Sequence, residues 1–221
     1  MIHMNHDVLE SLKTAPIQCN VHPVLSVDAL AGFAEILHEE GYPLFEVLGR
    51  PLDDAEPLIR AFSETPQRKL LYLAVGTLKT RADAERAVAL NVDLLVSAAF
   101  SRRILDVAVE ADLPYMPGVS TLQDIQNVHD AFEDGGRTVK VLKLCPVDFI
   151  GMPLVKVMAT IYPDVMFGPT GSVELEDLPT WRQLPFISAP MKPYVPEQMI
   201  AAGDWDAVRE LLRKARRLAG L

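Results

Sequence analysis

The feature that most constrains this chain is a repeated switch between two hydrophobic periods. Short apolar runs at 16–25, 43–48, 70–76, 92–98, 114–119, 139–145, 165–169 and 185–188 alternate with longer segments whose apolar residues recur at helical spacing. Runs such as LLYLAVG and VDLLVSA lack the in–out alternation of a strand with one wet face, so both of their faces must be covered. The segment 27–40 brings Leu30, Phe33, Ala34 and Leu37 to one helical face and stops at Gly41, a residue suited to a left-handed C-terminal turn. Segments 81–90, 102–111, 121–132, 151–162 and 204–218 read the same way. The last starts at the N-cap candidate Asp204, and Arg213, Lys214, Arg216 and Arg217 oppose the dipole at its end as a solvated face. This alternation predicts an α/β chain folded as a single (β/α)8 TIM barrel over 1–221, with a short polar N-terminal extension at 1–8. A doubly wound sheet fits less well, because it needs fewer strands and a glycine-rich turn after the first, where this chain reads VLSVDAL.

Composition narrows the function classes. A chain of 221 residues buries about 70% of its extended surface, so neither disulfides nor a metal is needed for folding. Its 30 Asp+Glu against 21 Lys+Arg give a net charge of −9 with no basic stripe, which argues against nucleic acid. Cys19 and Cys145 are too few for a disulfide framework. His3, His6, His22, His38 and His129 lack ligand spacing, so no metal site is expected. The apolar runs are strand-length and Met1–Asp7 is polar, so neither a membrane span nor a leader is expected and the cytoplasm is the expected compartment.

In a barrel the reactive residues belong at the C-terminal ends of the strands. Two polar residues break otherwise apolar strands. Lys143, in Val-Leu-Lys-Leu-Cys, shares its pleat face with Val141 and Cys145, so it either snorkels outward or points into the barrel. Inside, desolvation works against an ammonium and leaves a nucleophilic amine. Glu46, in PLFEVL, is costly to bury alone. It either forms a structural ion pair with Arg50 or supplies proton transfer beside Lys143, the minimum for carbonyl chemistry through an imine. Cys145 reads as a small residue lining the same face, and Gly135-Gly136 as a surface turn.

At these residues the chain resembles the 2-keto-3-deoxy-6-phosphogluconate aldolase family, which includes 4-hydroxy-2-oxoglutarate aldolases. The resemblance is carried in order by Glu46 and Arg50, Gly76-Thr77, Pro117 to Thr121, Lys143 with Pro146, and Pro169-Thr170-Gly171. It implies a class I aldolase, a lyase needing neither metal nor cofactor. Lys143 would form the Schiff base with pyruvate or a 2-keto acid, and Glu46 would move protons. Arg50 and Thr77 would hold the carboxylate, with Pro117 lining the site. Thr170, Gly171, Ser172, Ser188 and Lys192 would meet the aldehyde half. The resemblance also implies a homotrimer.

Departures from the family pattern concentrate at one end. Ser26 stands where many relatives have Arg, Ser97-Ala98-Ala99 replaces Ser-Pro-Gly, and Leu144-Cys145 replaces an aromatic pair. Thr170-Gly171-Ser172 replaces Thr-Gly-Gly, and Ser188-Ala189-Pro190 is read in place of the Gly-Gly-Ser loop after strand eight. Proline has no N–H to give a phosphate. The pyruvate half is therefore expected to be retained and the phosphate half altered, with Lys192 as its remaining point charge. Two other functions fit the same barrel: a phosphate-handling isomerase or epimerase using Glu46 as base, and a non-catalytic sugar-acid binder.

Overall fold

A computed structural model describes residues 7–221; His3 and His6 lie outside the described residues. Helix α1 (Asp7–Thr14) precedes β1 (Gln18–Val21), α2 (Val27–Glu39), β2 (Leu44–Leu48), α3 (Leu52–Ser63), β3 (Tyr72–Gly76), α4 (Arg81–Ala89), β4 (Leu94–Val96) and α5 (Arg102–Glu110). Then come β5 (Tyr115–Met116), β6 (Gly118–Val119), α6 (Leu122–Asp134), β7 (Val141–Leu144), α7 (Val147–Ile161) and β8 (Met166–Pro169). Helix α8 (Leu178–Arg182), β9 (Met191–Lys192), α9 (Glu197–Ala202) and α10 (Trp205–Ala219) complete the chain.

All strand pairs are parallel. One sheet runs β5-β4-β3-β2-β1-β9 and the other β6-β7-β8. Pro117 separates β5 from β6, so strand five pairs with β4 before it and with β7 after it. Bridges Phe167↔Ile187 and Thr170↔Met191 join β8 to the last strand and close the circle. The result is the expected (β/α)8 barrel. Strand eight is a correction. Of the run expected at 185–188 only Ile187 bridges β8, and regular pairing comes later, at Met191–Lys192 against β1. Pro185 sits in a turn; Ser188 N–H still donates to the Phe167 carbonyl, but Ala189 N–H turns to the Leu12 carbonyl and Pro190 has no N–H, so Ser188–Pro190 crosses the barrel wall without a ladder.

Two apolar layers position the site. Residues on the outer faces of the strands pack against the helices, with Phe45, Leu73, Leu95 and Leu142 among them. Inward-facing Leu44, Ala74, Leu94, Met116, Val141 and Met191 fill the lower barrel, and Val8 and Leu12 of α1 plug its N-terminal end. Of the extension expected at 1–8, residues 1–6 lie outside the described residues, and Val8 already belongs to this plug. Burying Leu12 contributes about 1.5–3 kcal/mol. Several helices start, at the C-terminal ends of the strands, with side-chain caps: Ser26 for α2, and the reciprocal Thr80–Asp83 and Thr121–Asp124 boxes for α4 and α6. Helix α7 begins four residues before the expected 151 and is kinked at Gly151, where φ is 71°.

Candidate active site

The pleat that fills the lower barrel with apolar side chains continues upward into polar ones. Following Leu44 and Val141, the next inward residues are Glu46 and Lys143, and the inward positions of β1 are Gln18 and Asn20. Lys143 is 1% exposed and Glu46 not at all, so the lysine does not snorkel outward. Lys143 Nζ lies 4.0 Å from Glu46 Oε1, within ion-pair reach but too far for a hydrogen bond. Glu46 Oε2 accepts a 2.6 Å hydrogen bond from Gln18 Nε2, whereas Glu46 Oε1 is buried with no hydrogen-bond partner. Burial pushes the Glu46 carboxyl above the usual carboxylate range, against the opposing pull of Lys143, Arg50 and the Gln18 hydrogen bond.

Two glycines leave bare backbone at this level of the barrel, one making room for Glu46 and the other for Met191. A Cβ at Gly76 would fall 1.6 Å from Glu46 Oε1, so the carboxylate lies across the bare backbone of β3. Gly168 is the register partner of Lys143, and a Cβ there would meet Met191 Cε at 2.2 Å. The lysine is further fixed through its own backbone, whose N–H donates to the Pro117 carbonyl at 3.0 Å.

Above the pair, on the rim, Arg50 and Thr77 come together. Arg50 Nε donates to Thr77 Oγ1 at 2.9 Å, leaving the terminal guanidinium nitrogens without another hydrogen bond among the described residues. Thr77 has φ 64°, a left-handed conformation that costs a β-branched residue about 1–3 kcal/mol and is characteristic of functional sites. No Glu46–Arg50 ion pair forms among the described residues, so the purely structural reading of Glu46 is set aside.

The other sequence-derived residues divide. Thr170, at the end of β8, holds a buried Oγ1 with no partner, and its carbonyl accepts from Val147 N at 2.9 Å. Gly171 packs against the carboxylate of Asp148, which also accepts from Ser172 N at 3.1 Å. Ser172 holds the Asp148 carboxyl below its usual range through side-chain and backbone hydrogen bonds. Lys192 Nζ donates to Glu174 at 2.6 Å. Ser188 is fully buried in the barrel wall before the last strand, and its Oγ, without a hydrogen-bond partner, lies beside the α-carbon face of Gly168, the register partner of Lys143. His22 pairs through Nδ1 with Glu197 at 2.5 Å.

Sequence reasoning missed Gln18, Asn20 and Asp148. For the first two the signal was present: polar residues two apart in an apolar strand, the same anomaly that exposes Lys143. Among the described residues no group of three His, Cys, Asp or Glu side chains is placed to hold a metal, and no helix is long and apolar enough to cross a membrane.

An enclosed amine beside an enclosed carboxylate at the catalytic end of a (β/α)8 barrel has the makeup of a lyase that works through a Schiff base. The chain belongs to the KDPG and KHG aldolase family, whose model matches residues 8–211. It is 27% identical over 217 residues to the 2-dehydro-3-deoxy-phosphogluconate aldolase of Treponema pallidum (strain Nichols), covering 97% of each chain. The corresponding Pseudomonas aeruginosa aldolase is 27% identical over 206 residues, covering 90% of this chain and 88% of that one. Among solved structures, KDPG aldolase from Legionella pneumophila, with pyruvate captured as a covalent carbinolamine, superposes with a TM-score of 0.78 at 22% identity, covering 92% of this chain and 95% of that one.

Proposed function

We propose that this chain is a class I aldolase that cleaves or forms a 4-hydroxy-2-keto acid or 2-keto-3-deoxy sugar acid, with pyruvate and an aldehyde, glyoxylate where the substrate is 4-hydroxy-2-oxoglutarate, as the smaller products. The supporting observation is the buried Lys143–Glu46 pair at 4.0 Å, an amine and a carboxyl close enough to act on the same substrate. In the cleavage direction Lys143 Nζ adds to the C2 carbonyl and water leaves, forming the imine. Glu46 takes the C4 hydroxyl proton, directly or through a water. The C3–C4 bond then breaks, its electron pair moving to the imine as an enamine while the aldehyde departs. Protonation at C3 and hydrolysis release pyruvate and restore the amine. Arg50, pre-set by Thr77, offers its free fork to the substrate carboxylate.

The test is release of pyruvate from 4-hydroxy-2-oxoglutarate and from 2-keto-3-deoxygluconate, with Lys143→Met as control. Turnover of at least one substrate that is lost in the variant supports the reading; turnover undiminished in the variant ends it. We also infer that the enzyme works in the cytoplasm, where the free Cys19 and Cys145 stay reduced. It is further proposed to act as a homotrimer, supported by the exposed Phe149 (90%), Val157 (46%) and Ile161 (52%) on α7. Sedimentation should return three times the chain mass, and a monomer would refute the assembly.

A further inference from the structure

The rim beyond Lys143 is built by the loops after β8 and β9, which the Thr170↔Met191 bridge holds side by side. With the carboxylate engaged by Arg50 and Thr77 on the far strands, the carbon chain of the substrate leaves Lys143 toward this rim. Two groups there could attract an anion. One is the Gly171–Ser172 backbone, the other the Lys192 ammonium.

Both are already occupied by carboxylates of this chain. The Ser172 N–H lies 3.1 Å from each Asp148 oxygen, and Asp148 Oδ2 fills the space a Cβ on Gly171 would take, 2.1 Å from that position. Lys192 is matched by Glu174 at 2.6 Å. One ammonium facing two carboxylates leaves the rim with a local charge of −1, and a third anion would have to displace one of them. The uncommitted groups here are neutral hydroxyls: Thr170 Oγ1 and, deeper beside Gly168, Ser188 Oγ, both buried and without a partner. A buried hydroxyl left unpaired is unfavourable, so a ligand that satisfies it gains by doing so.

We propose that the aldehyde half of the substrate is uncharged and hydroxylated, with Asp148 and Glu174 acting as specificity residues that exclude a terminal phosphate and Thr170 receiving a hydroxyl. This rests on the aldolase reading above and adds the chemical class of its second substrate.

The experiment compares condensation of pyruvate with glyceraldehyde and with glyceraldehyde 3-phosphate, in the wild type, Glu174→Gln and Asp148→Asn. The wild type should favour glyceraldehyde in kcat/KM by a few-fold, the size of effect that a like-charge contact at a solvated rim produces. Glu174→Gln frees the Lys192 ammonium and should narrow the ratio toward one; Asp148→Asn should narrow it further. Because Glu174 is exposed, its variant tests the idea even if Asp148→Asn fails to fold. A wild-type preference for the phosphorylated aldehyde, or a ratio unmoved in folded variants, would overturn the inference while leaving the aldolase reading intact. Condensation with neither aldehyde would overturn this inference; the aldolase reading would fall with it only if pyruvate release from 4-hydroxy-2-oxoglutarate were absent as well.

Discussion

The two halves of this active face handle their charges in opposite ways. In the barrel interior, Lys143 and Glu46 are almost fully buried yet incompletely paired, one carboxylate oxygen being without a hydrogen bond. At the β8–β9 rim, Asp148, Ser172, Glu174 and Lys192 are exposed or half-exposed and mutually satisfied. Ordinary stability would arrange this the other way round, since an unmet acceptor is tolerable in water and expensive inside. The interior is therefore the place where groups are held ready for something not yet bound. The rim is the place where binding capacity has been used up internally. Incomplete pairing under burial is the more informative mark of chemistry.

Substituting the interior carboxylate should have the largest effect. Glu46→Gln keeps the shape and removes proton transfer, so kcat should fall about 10²–10⁴-fold with little change in the affinity for pyruvate. The same variant should lose the limb of the kcat–pH profile that lies above the ordinary carboxylate range. A fall confined to KM would show that Glu46 binds without moving protons. Stability should respond too. A carboxyl whose folded pKa is raised holds its proton more tightly in the folded than in the unfolded state. Its contribution is thus greatest at low pH and is lost as pH rises from the ordinary Glu value through the folded one. Tm measured against pH should therefore decline less steeply in Glu46→Gln than in the wild type.

Gly76→Ala comes next. The new Cβ would overlap Glu46 Oε1, so the carboxylate must swing away. Displacing a reacting group by about 1 Å costs about 10²-fold in rate, here read in kcat with the fold retained by circular dichroism. Wild-type kinetics in this variant would mean that the carboxylate's position is not critical.

The smallest effect is expected of Gln18→Leu. Its 2.6 Å hydrogen bond favours the charged form of Glu46, so its loss should move the Glu46 limb of the profile to higher pH. The unmet buried acceptor should also cost about 1–3 kcal/mol in denaturant unfolding. An unmoved limb would reduce Gln18 to packing.

Much of this was legible in the sequence, for a physical reason. Apolar runs of strand length alternating with helical spacing give the barrel, and a charge inside such a run has few places to go. That logic found Lys143 and Glu46 without any geometry, and the resemblance added Arg50 and Thr77. It failed where backbone pairing does not follow hydrophobicity. The last strand was placed at 185–188 because that stretch is apolar, yet the ladder forms at Met191–Lys192, beyond Pro190. Ser188 consequently lies in the wall beside Gly168 and not in a loop beyond the strand. Asp148 was invisible for another reason: its role depends on Ser172 lying across the β7–β8 pair, a contact 24 residues apart that no local pattern encodes.

The central claim is that Lys143 is the amine that forms the imine. Incubation with pyruvate followed by borohydride reduction should add one reduced pyruvate per chain, with the modified peptide mapping to Lys143 and Lys143→Met remaining unlabelled. Label on any other lysine, or labelling that persists in Lys143→Met, would contradict the account.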